Sequence, residues 1–338
     1  MIAGAVILAL GAGPPTAHAA DAESAFRDKI VRIIVGFPPG GGFDTYSRVI
    51  GRHLGRHIPG TPTVIVDNMP GAGSLIAAKH LSRVAKPDGL TFGMLHGNQV
   101  MAQIVGRQAT DVDFRKFEWL GVPVQDTSVC AFTKASGITS VEAWRGARSP
   151  VKLGATTPPD SSYLVARVLQ AALGLPIQVV RGYKGTADIR LAAEAGEVAG
   201  GCWQWESVKV TWRKALDAGE VLVVLQAGAQ PHPDLARVPV ANTLATSDEA
   251  RQLLHVGIEM LSTKTRVYAL PPGTPKDRVA ILRRAFVETL KDPAFVAEAK
   301  RSQLDIDPLS GEAVAETVAG LFQLPPALVG RLKDLVGP

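Results

Sequence analysis

The glycine-rich segment Phe37–Asp44 holds the residues best suited to ligand binding in this 338-residue chain. It follows an apolar run, Ile30–Val35, that favours a β-strand, and it precedes a helical pattern over about residues 45–57. Glycines let backbone N–H groups approach a ligand closely, and the start of a helix carries a partial positive charge. The segment therefore predicts an anion site without lysine or arginine, in a loop that Pro38 and Pro39 stiffen.

Three other polar turns follow predicted strands and are candidates to meet the same ligand. They are Thr156–Ser162 with its hydroxyl groups, Gly182–Gly185 with Tyr183, and His96–Gln99 with Asn98. Ligands of open α/β sheets bind outside the carboxyl ends of the strands, so we expect such turns to gather around one cleft. Helix capping by Ser161 or Ser162 would explain the first turn equally well, and the two roles are compatible.

Three tryptophans, Trp203, Trp205 and Trp212, follow the predicted strand Val198–Cys202. Packing in the core is the ordinary role of such residues. Trp203 lies closest to the end of the strand, so it is also a candidate for the wall of the cleft.

The sequence lacks the motifs that several kinds of chemistry require. No Gly-Lys-Ser/Thr follows the glycine-rich segment, and Gly40–Gly42 lacks the GxGxxG order of a dinucleotide site. Ser74 has no G-x-S-x-G elbow around it. His53 and His57 are four residues apart on a predicted helix, but arginines flank them and no acidic residue is near, which favours a solvated face over a metal site. The sequence predicts no metal, no cofactor and no catalytic residue.

Strands and helices alternate along most of the chain. A first series contains the strands Ile30–Val35, Val64–Val66 and Thr91–Leu95, and a second series begins near Val129. Helical patterns over 276–290, 292–302 and 311–321 occupy the end. This alternation predicts the α/β class, with mostly parallel sheets flanked by helices.

Length and composition fit a globular protein of two domains. Of the residues, 46% are hydrophobic and 20% are charged, which excludes a disordered chain. The net charge of +5 is small, and no cluster of lysines and arginines concentrates it, so nucleic acid is not a predicted partner.

The first residues differ from the rest. An apolar run over 2–12 precedes Ala17-His18-Ala19, whose small residues suit a cleavage site, so residues 1–19 are predicted to be a secretory signal peptide. No lysine or arginine precedes the run, although signal peptides usually begin with one. A membrane anchor is the rival interpretation, but spanning a bilayer takes about 20 apolar residues.

The chain has two cysteines, Cys130 and Cys202. In an oxidising compartment they would form one disulfide, and the alternative is two separate buried thiols. Their spacing fits neither a CxxC motif nor a metal-ligand cluster.

The order of these turns resembles the Bug/TctC extracytoplasmic receptors of tripartite tricarboxylate transporters. The segments that carry the resemblance are Phe37–Asp44 followed by a helix with Arg48, then Val66–Gly73, Ala85–Thr91, Gly182–Gly185 and Leu270–Pro275. They cover nearly the whole predicted mature chain in the family's order. The stretch Val198–Glu206 departs from the shorter, aspartate-bearing strand end of many relatives, which leaves the identity of the ligand open.

The resemblance implies a two-domain periplasmic-binding-protein (Venus-flytrap) fold that grips a ligand carboxylate between its domains. Residues 24–123 and 259–338 would form domain 1, and residues 124–258 would form domain 2. The residues expected to bind the ligand are Phe37, Pro38, Gly40, Gly41, Phe43, Asp44, Asn98, Thr156, Ser161, Ser162, Tyr183 and Trp203.

The resemblance further implies a monomeric receptor in the periplasm that delivers a small organic carboxylate to membrane transporter subunits. Two alternatives stay open. One is a solute sensor that works without a permease, and the other is an enzyme acting in the same cleft with Asp44 as its base.

Overall fold

A computed structural model describes residues 24–106, 111–158 and 160–336 of the chain, so the predicted signal peptide lies outside the described residues. The strands form two separate sheets. In chain order they are β1 Ile30–Val35, β2 Thr63–Asn68, β3 Thr91–His96, β4 Glu118–Val122, β5 Ser128–Thr133, β6 Val151–Ala155, β7 Ile177–Arg181, β8 Gly200–Gln204, β9 Val221–Ala227, β10 Arg266–Leu270 and β11 Leu309–Ser310.

Helices cover both sheets. They are α1 Gly42–Leu54, α2 Leu75–Arg83, α3 Asn98–Ile104, α4 Val141–Arg145, α5 Ser161–Leu173, α6 Thr186–Glu194, α7 Trp205–Asp217, α8 Asp248–Leu254, α9 Met260–Ser262, α10 Lys276–Lys291, α11 Pro293–Arg301, α12 Gly311–Leu321 and α13 Pro326–Val336. A π-helical turn, His255–Glu259, joins α8 to α9.

Each sheet and the helices packed on it form one lobe. The first lobe has the strand order β11-β4-β10-β3-β1-β2, and the second has β7-β6-β8-β5-β9. This is the two-domain α/β architecture that the sequence predicted. The domain boundaries themselves remain a prediction, and α13, which was predicted in domain 1, packs on α5 of the second lobe.

The sheets are mixed, although mostly parallel sheets were predicted. β1 pairs in parallel with β2 and β3, and β6 pairs in parallel with β7 and β8, as alternating strands and helices imply. β5 and β10 run antiparallel to their neighbours. Both strands enter a sheet from the other lobe, so no helical crossover forces them to run parallel.

Three short segments connect the lobes. Residues 123–127 lead from β4 into β5, residues 263–265 lead from α9 into β10, and residues 322–325 lead from α12, which packs on β4, to α13, which packs on α5. The first two segments lie close together, because the buried side chains of Asp126 and Arg266 form an ion pair.

The amphipathic helix α1 illustrates how the sequence builds the first lobe. Tyr46, Val49, Ile50 and Leu54 are each at most 1% exposed, as their three- and four-residue spacing predicted. Burying side chains of this size contributes roughly 1.5–3 kcal/mol each to folding. The helix is thereby held against the sheet with its first turn at the cleft.

The prediction of a solvated face around His53 and His57 was wrong. His53 is buried and lies 2.6 Å from the Glu298 carboxylate, and His57 lies 2.8 Å from that of Asp292. Both acidic residues come from the region of α11, about 240 positions later in the chain. Local sequence therefore gave no sign of these partners.

Cys130 and Cys202 form a disulfide, which was one of the two alternatives. They lie opposite each other on the antiparallel strands β5 and β8. Among the described residues, no single helix is long and apolar enough to cross a membrane; α12 and the Pro326–Leu335 stretch meet that test only as a pair bent by 96°.

Candidate functional site

A cavity lies between the lobes at the ends of several strands. Its empty volume is about 560 Å³, part of which is open to solvent. The predicted residues that line it are Phe37, Pro38, Gly41, Phe43, Thr156, Ser161 and Trp203. The turns that the sequence singled out in separate segments therefore meet at one place.

Asp44 and Gly40 do not line the cavity but shape its loop. The buried carboxylate of Asp44 accepts hydrogen bonds from the Gly40 N–H at 3.0 Å, from Arg48 and from Asn68. Burial alone would raise the pKa of Asp44, but these donors outweigh it and lower that pKa below its ordinary value. Asp44 is thus held as a carboxylate that fixes the loop.

Asn98, Ser162 and Tyr183 also lie outside the cavity lining. Ser162 is buried at the start of α5, where its hydroxyl and its backbone N–H both donate hydrogen bonds to Asp160 Oδ1. The Tyr183 hydroxyl donates to Glu197 at 2.6 Å, and burial raises the pKa of this tyrosine to about 12. The Asn98 N–H donates to His96 Nδ1 at the start of α3.

Four helices begin at the cavity, one from the first lobe and three from the second. The lining residues Gly42, Ser161, Thr186 and Ser207 lie in the first turns of α1, α5, α6 and α7. Each of these helices is at least nine residues long. Their dipoles place partial positive charge around the space, which favours an anion.

Two of these N-termini share one unusual design. Gly41 and Gly185 are the N-cap residues of α1 and α6, and no side chain caps either helix. In each case the aspartate of the first turn, Asp44 or Asp188, accepts the N–H of the residue before the glycine. The first N–H groups of both helices are thereby left to an outside acceptor. The loops also approach each other, since Pro38 comes within 3.5 Å of the Cβ position at Gly185.

His96, at the end of β3, forms a hydrogen-bonded link between the lobes. Its Nδ1 accepts from a backbone N–H, so the neutral ring carries its proton on Nε2 and donates to Ser161 Oγ at 3.0 Å. The Ser161 hydroxyl donates in turn to Gln204 Oε1 at 2.7 Å. Burial lowers the pKa of His96 to about 4, with Asp160 opposing that shift in part.

This chain of contacts is not a catalytic triad. A triad histidine accepts the serine proton on one nitrogen while a carboxylate holds the other. Here Nε2 is the nitrogen that faces both Ser161 and Asp160, at 3.0 and 3.6 Å, and a backbone N–H occupies Nδ1. Ser161 therefore has no base beside it.

Arg266 lies directly behind the cavity wall. Its guanidinium is fully buried, bonds Ser207 Oγ at 2.7 Å and stacks 5.0 Å from the centre of the Phe43 ring. Burial lowers its pKa to about 10, so it stays charged at neutral pH. Its ion pair with Asp126 connects this wall to the segments that join the lobes.

A second group of polar contacts also bridges the lobes. Glu206 of α7 accepts from Tyr46 at 2.5 Å and from the Asp305 N–H at 3.0 Å. Lys209 lies 2.7 Å from Glu206 and 2.9 Å from Asp305. Glu206, His232 and Asp305 are close enough for a metal ion, but the lysine ammonium already supplies their cation. The structure is therefore a closed form, held shut by hydrogen bonds across the cleft.

Several lining residues were absent from the predicted set. They are Pro39, Gly42, Asp160, Gly185, Thr186, Ala187, Asp188, Gln204 and Ser207. Gly185–Asp188 repeats the pattern of Gly41–Asp44, a glycine followed three residues later by aspartate, and this repeat could have identified the segment. Gln204 lies within Val198–Glu206, the stretch that departs from the family pattern, whereas Ser207 in the first turn of α7 gave no signal in the sequence.

Two α/β lobes with a cavity between them, at which four helices begin, define the two-lobed class of binding-protein fold. Residues 48–319 match the sequence model of the tripartite tricarboxylate transporter family receptor, TctC. The chain belongs to this family, as the order of its turns predicted.

Solved structures agree with the fold. The periplasmic binding protein BugD is 21% identical with a TM-score of 0.74, covering 92% of this chain and 98% of its own. Rpa4515 from R. palustris with adipate is 20% identical with a TM-score of 0.73, covering 91% and 97%. MatC from Rhodopseudomonas palustris with bound malate is 20% identical with a TM-score of 0.69, covering 91% and 99%. A comparison with curated proteins finds no match.

Proposed function

We propose that this protein is an extracytoplasmic solute receptor that closes around a small carboxylate-bearing molecule and delivers it to a membrane transporter. The observation that carries the proposal is the pair of helix N-termini, α1 and α6, that face the cavity from opposite lobes without a capping side chain. An anion between them would satisfy both helices only when the lobes are closed. Ligand binding and closure would thus favour each other.

The relatives support a carboxylate as the anion. MatC was solved with malate and Rpa4515 with adipate. An enzyme that uses Asp44 as its base loses support, because that carboxylate lies outside the cavity lining and three donors hold it in the charged form. We therefore propose binding without chemistry.

The cellular role follows from family membership. We propose that the protein works in the periplasm as a monomer, with transporter subunits in the membrane as its partners and no nucleic acid. A sensor that reports the same solute to a signalling protein would need the same site. Loss of solute uptake after deletion of the gene, with unchanged gene regulation, would favour the transport role.

A pair of substitutions at Gly41 tests the proposal. Its backbone, at φ −89° and ψ 172°, suits an N-cap side chain, and a Cβ there has only an ordinary 3.5 Å contact with Thr186. Gly41→Asn would cap α1 without charge, whereas Gly41→Asp would cap it and place a negative charge where the ligand anion is expected.

Thermal-shift measurements against a panel of small carboxylates provide the readout. A micromolar ligand at millimolar concentration stabilises the protein by about 4 kcal/mol. We expect Gly41→Asp to abolish this shift while the unliganded protein stays at least as stable, and we expect Gly41→Asn to weaken it less. Equal ligand shifts in both variants, or chemical conversion of the bound molecule, would refute the proposal.

A further inference from the structure

Two carboxylates line the cavity that is proposed to bind a carboxylate. Asp160 and Asp188 belong to the second lobe, at the starts of α5 and α6. Among the described residues, no lysine, arginine or histidine lines the space. The side chains that line the cavity therefore carry negative charge on the side of the second lobe. Positive charge at this wall comes from the partial charges of the helix N-termini.

Asp160 has an oxygen available to a ligand. The residue is only 5% exposed, and its Oδ1 accepts from the N–H and the hydroxyl of Ser162. Its Oδ2 lies 3.6 Å from His96 Nε2, beyond hydrogen-bond distance, and that proton goes to Ser161. Because Asp160 lines the cavity, a ligand donor placed there would find an acceptor in this oxygen, and that hydrogen bond would stabilise the closed form.

Asp188 stands beside the same space, with Oδ2 accepting the Lys184 N–H at 3.2 Å. A carboxylate offers about four lone-pair positions, so one such bond leaves capacity on both oxygens.

The nearby cations do not offset these two charges. Arg266 is paired with Asp126, and Arg48 with Asp44. Both arginines are also separated from the space, since neither lines the cavity. A dicarboxylate would consequently bring a second negative charge towards Asp160 and Asp188, and a buried like-charge pair is strongly unfavourable.

We infer that the ligand is a zwitterion, an amino acid or similar molecule, whose carboxylate lies at the N-termini of α1 and α6 and whose ammonium group meets Asp160 and Asp188. This inference rests on the proposed receptor function. An ammonium group has three donors and one positive charge, which suits the free Asp160 oxygen and the charge of the wall.

Matched ligands test the inference. Isothermal titration calorimetry with the full mature protein would compare, for chains of about three to six carbons, the dicarboxylate, the hydroxy acid and the α- and ω-amino acids. We expect an amino acid of one length to bind at least tenfold more tightly than the dicarboxylate and the hydroxy acid of that length. A tighter dicarboxylate or hydroxy acid overturns the inference and leaves the receptor function standing, whereas no binding by any member overturns both.

Isosteric variants test which side chains select an amino acid over a dicarboxylate. Asp160→Asn keeps an acceptor that caps α5, and Asp188→Asn keeps an acceptor for the Lys184 N–H, so both variants should fold. Each should weaken amino-acid binding at least tenfold and narrow the preference over the dicarboxylate. Asp277→Asn removes an exposed first-turn carboxylate from α10, outside the cavity, and serves as the control. Unchanged affinity in both cavity variants would also overturn the inference.

Discussion

Gly42 is a residue at which the backbones of the two lobes pack closely. A Cβ added there would lie 2.5 Å from Ser207 Oγ and 2.9 Å from both the Ser207 Cα and an Arg266 nitrogen. Because Ser207 belongs to the second lobe and Gly42 to the first, only a glycine permits this degree of closure. Within α1 alone, alanine is a better helix former than glycine.

Gly42→Ala should therefore separate folding from closure. We expect at least a tenfold loss of ligand affinity, with thermal stability of the unliganded protein changed by no more than about 1 kcal/mol. Calorimetry and thermal unfolding measure the two effects. Gly320→Ala, on α12 where no atom lies within 4 Å of the added Cβ, is the matched control and should bind normally. Wild-type affinity in Gly42→Ala would mean that the closed contacts are not those of the bound state.

His96 makes stability depend on pH. Its pKa in the folded protein is lowered to about 4, because burial penalises the charged ring, whereas an unfolded histidine titrates near 6.5. Between these values the unfolded chain binds the additional proton, so stability is lost as the pH falls through this window, by up to about 1.4 kcal/mol per pH unit.

Urea unfolding between about pH 4 and about pH 7 tests this effect. The His96→Gln variant should lose less stability on acidification than the wild type. His80→Gln, on α2, should follow the wild-type slope and controls for the loss of any one histidine. Identical slopes in all three proteins would contradict the assignment.

At the scale of elements, one ion pair holds two of the connecting segments together. Asp126 lies in the first segment and Arg266 begins β10 after the second, and both side chains are at most 2% exposed. Arg266 also bonds Ser207 and stacks on Phe43 and Tyr46, so it joins the hinge to the first turns of α1 and α7. A movement of the connecting segments during closure would therefore also move the residues of the cavity wall that Arg266 contacts.

Asp126→Asn would leave a buried guanidinium without its countercharge. We expect a loss of about 3–5 kcal/mol in the free energy of unfolding, measured by urea titration. The double variant Asp126→Leu with Arg266→Met removes both charges and should recover most of that loss. A cost below about 1 kcal/mol for the single variant would show that the pair is not buried in solution.

The elements themselves were largely predictable from sequence. Spacing on α1 identified its buried face, and the glycine-rich turn identified its N-terminus. The exceptions arise where distant segments meet: β5 and β10 are antiparallel because of the route of the chain between lobes, and His53 is buried by α11. Periodicity reports the local environment of a residue and contains no information on such partners.

At the scale of the whole molecule, sequence located the first lobe's half of the site better than the second's. Phe37, Pro38, Gly41 and Phe43 belong to one continuous loop whose composition is unusual. The second lobe contributes single residues from three helix starts, such as Asp160, Asp188 and Ser207, which look like ordinary capping or surface residues in the sequence. The pairing of β6, β7 and β8 in one sheet brings these helix starts together, and no local pattern in the sequence records that arrangement.

The molecule as a whole is two α/β lobes joined by three segments, with hydrogen bonds from His96 to Ser161 and from Tyr46 to Glu206 crossing the cleft. These contacts lie beside the uncapped helix starts that face the cavity. We expect a ligand to complete this arrangement by accepting hydrogen bonds from N–H groups of both lobes at once.

A crystal structure of the complex with the tightest ligand from the matched panel tests this claim most directly. We expect one ligand carboxylate within hydrogen-bond distance of backbone N–H groups at the starts of both α1 and α6, with the lobes closed. A carboxylate bound to one lobe only, or held by side chains away from these two helix starts, would contradict it.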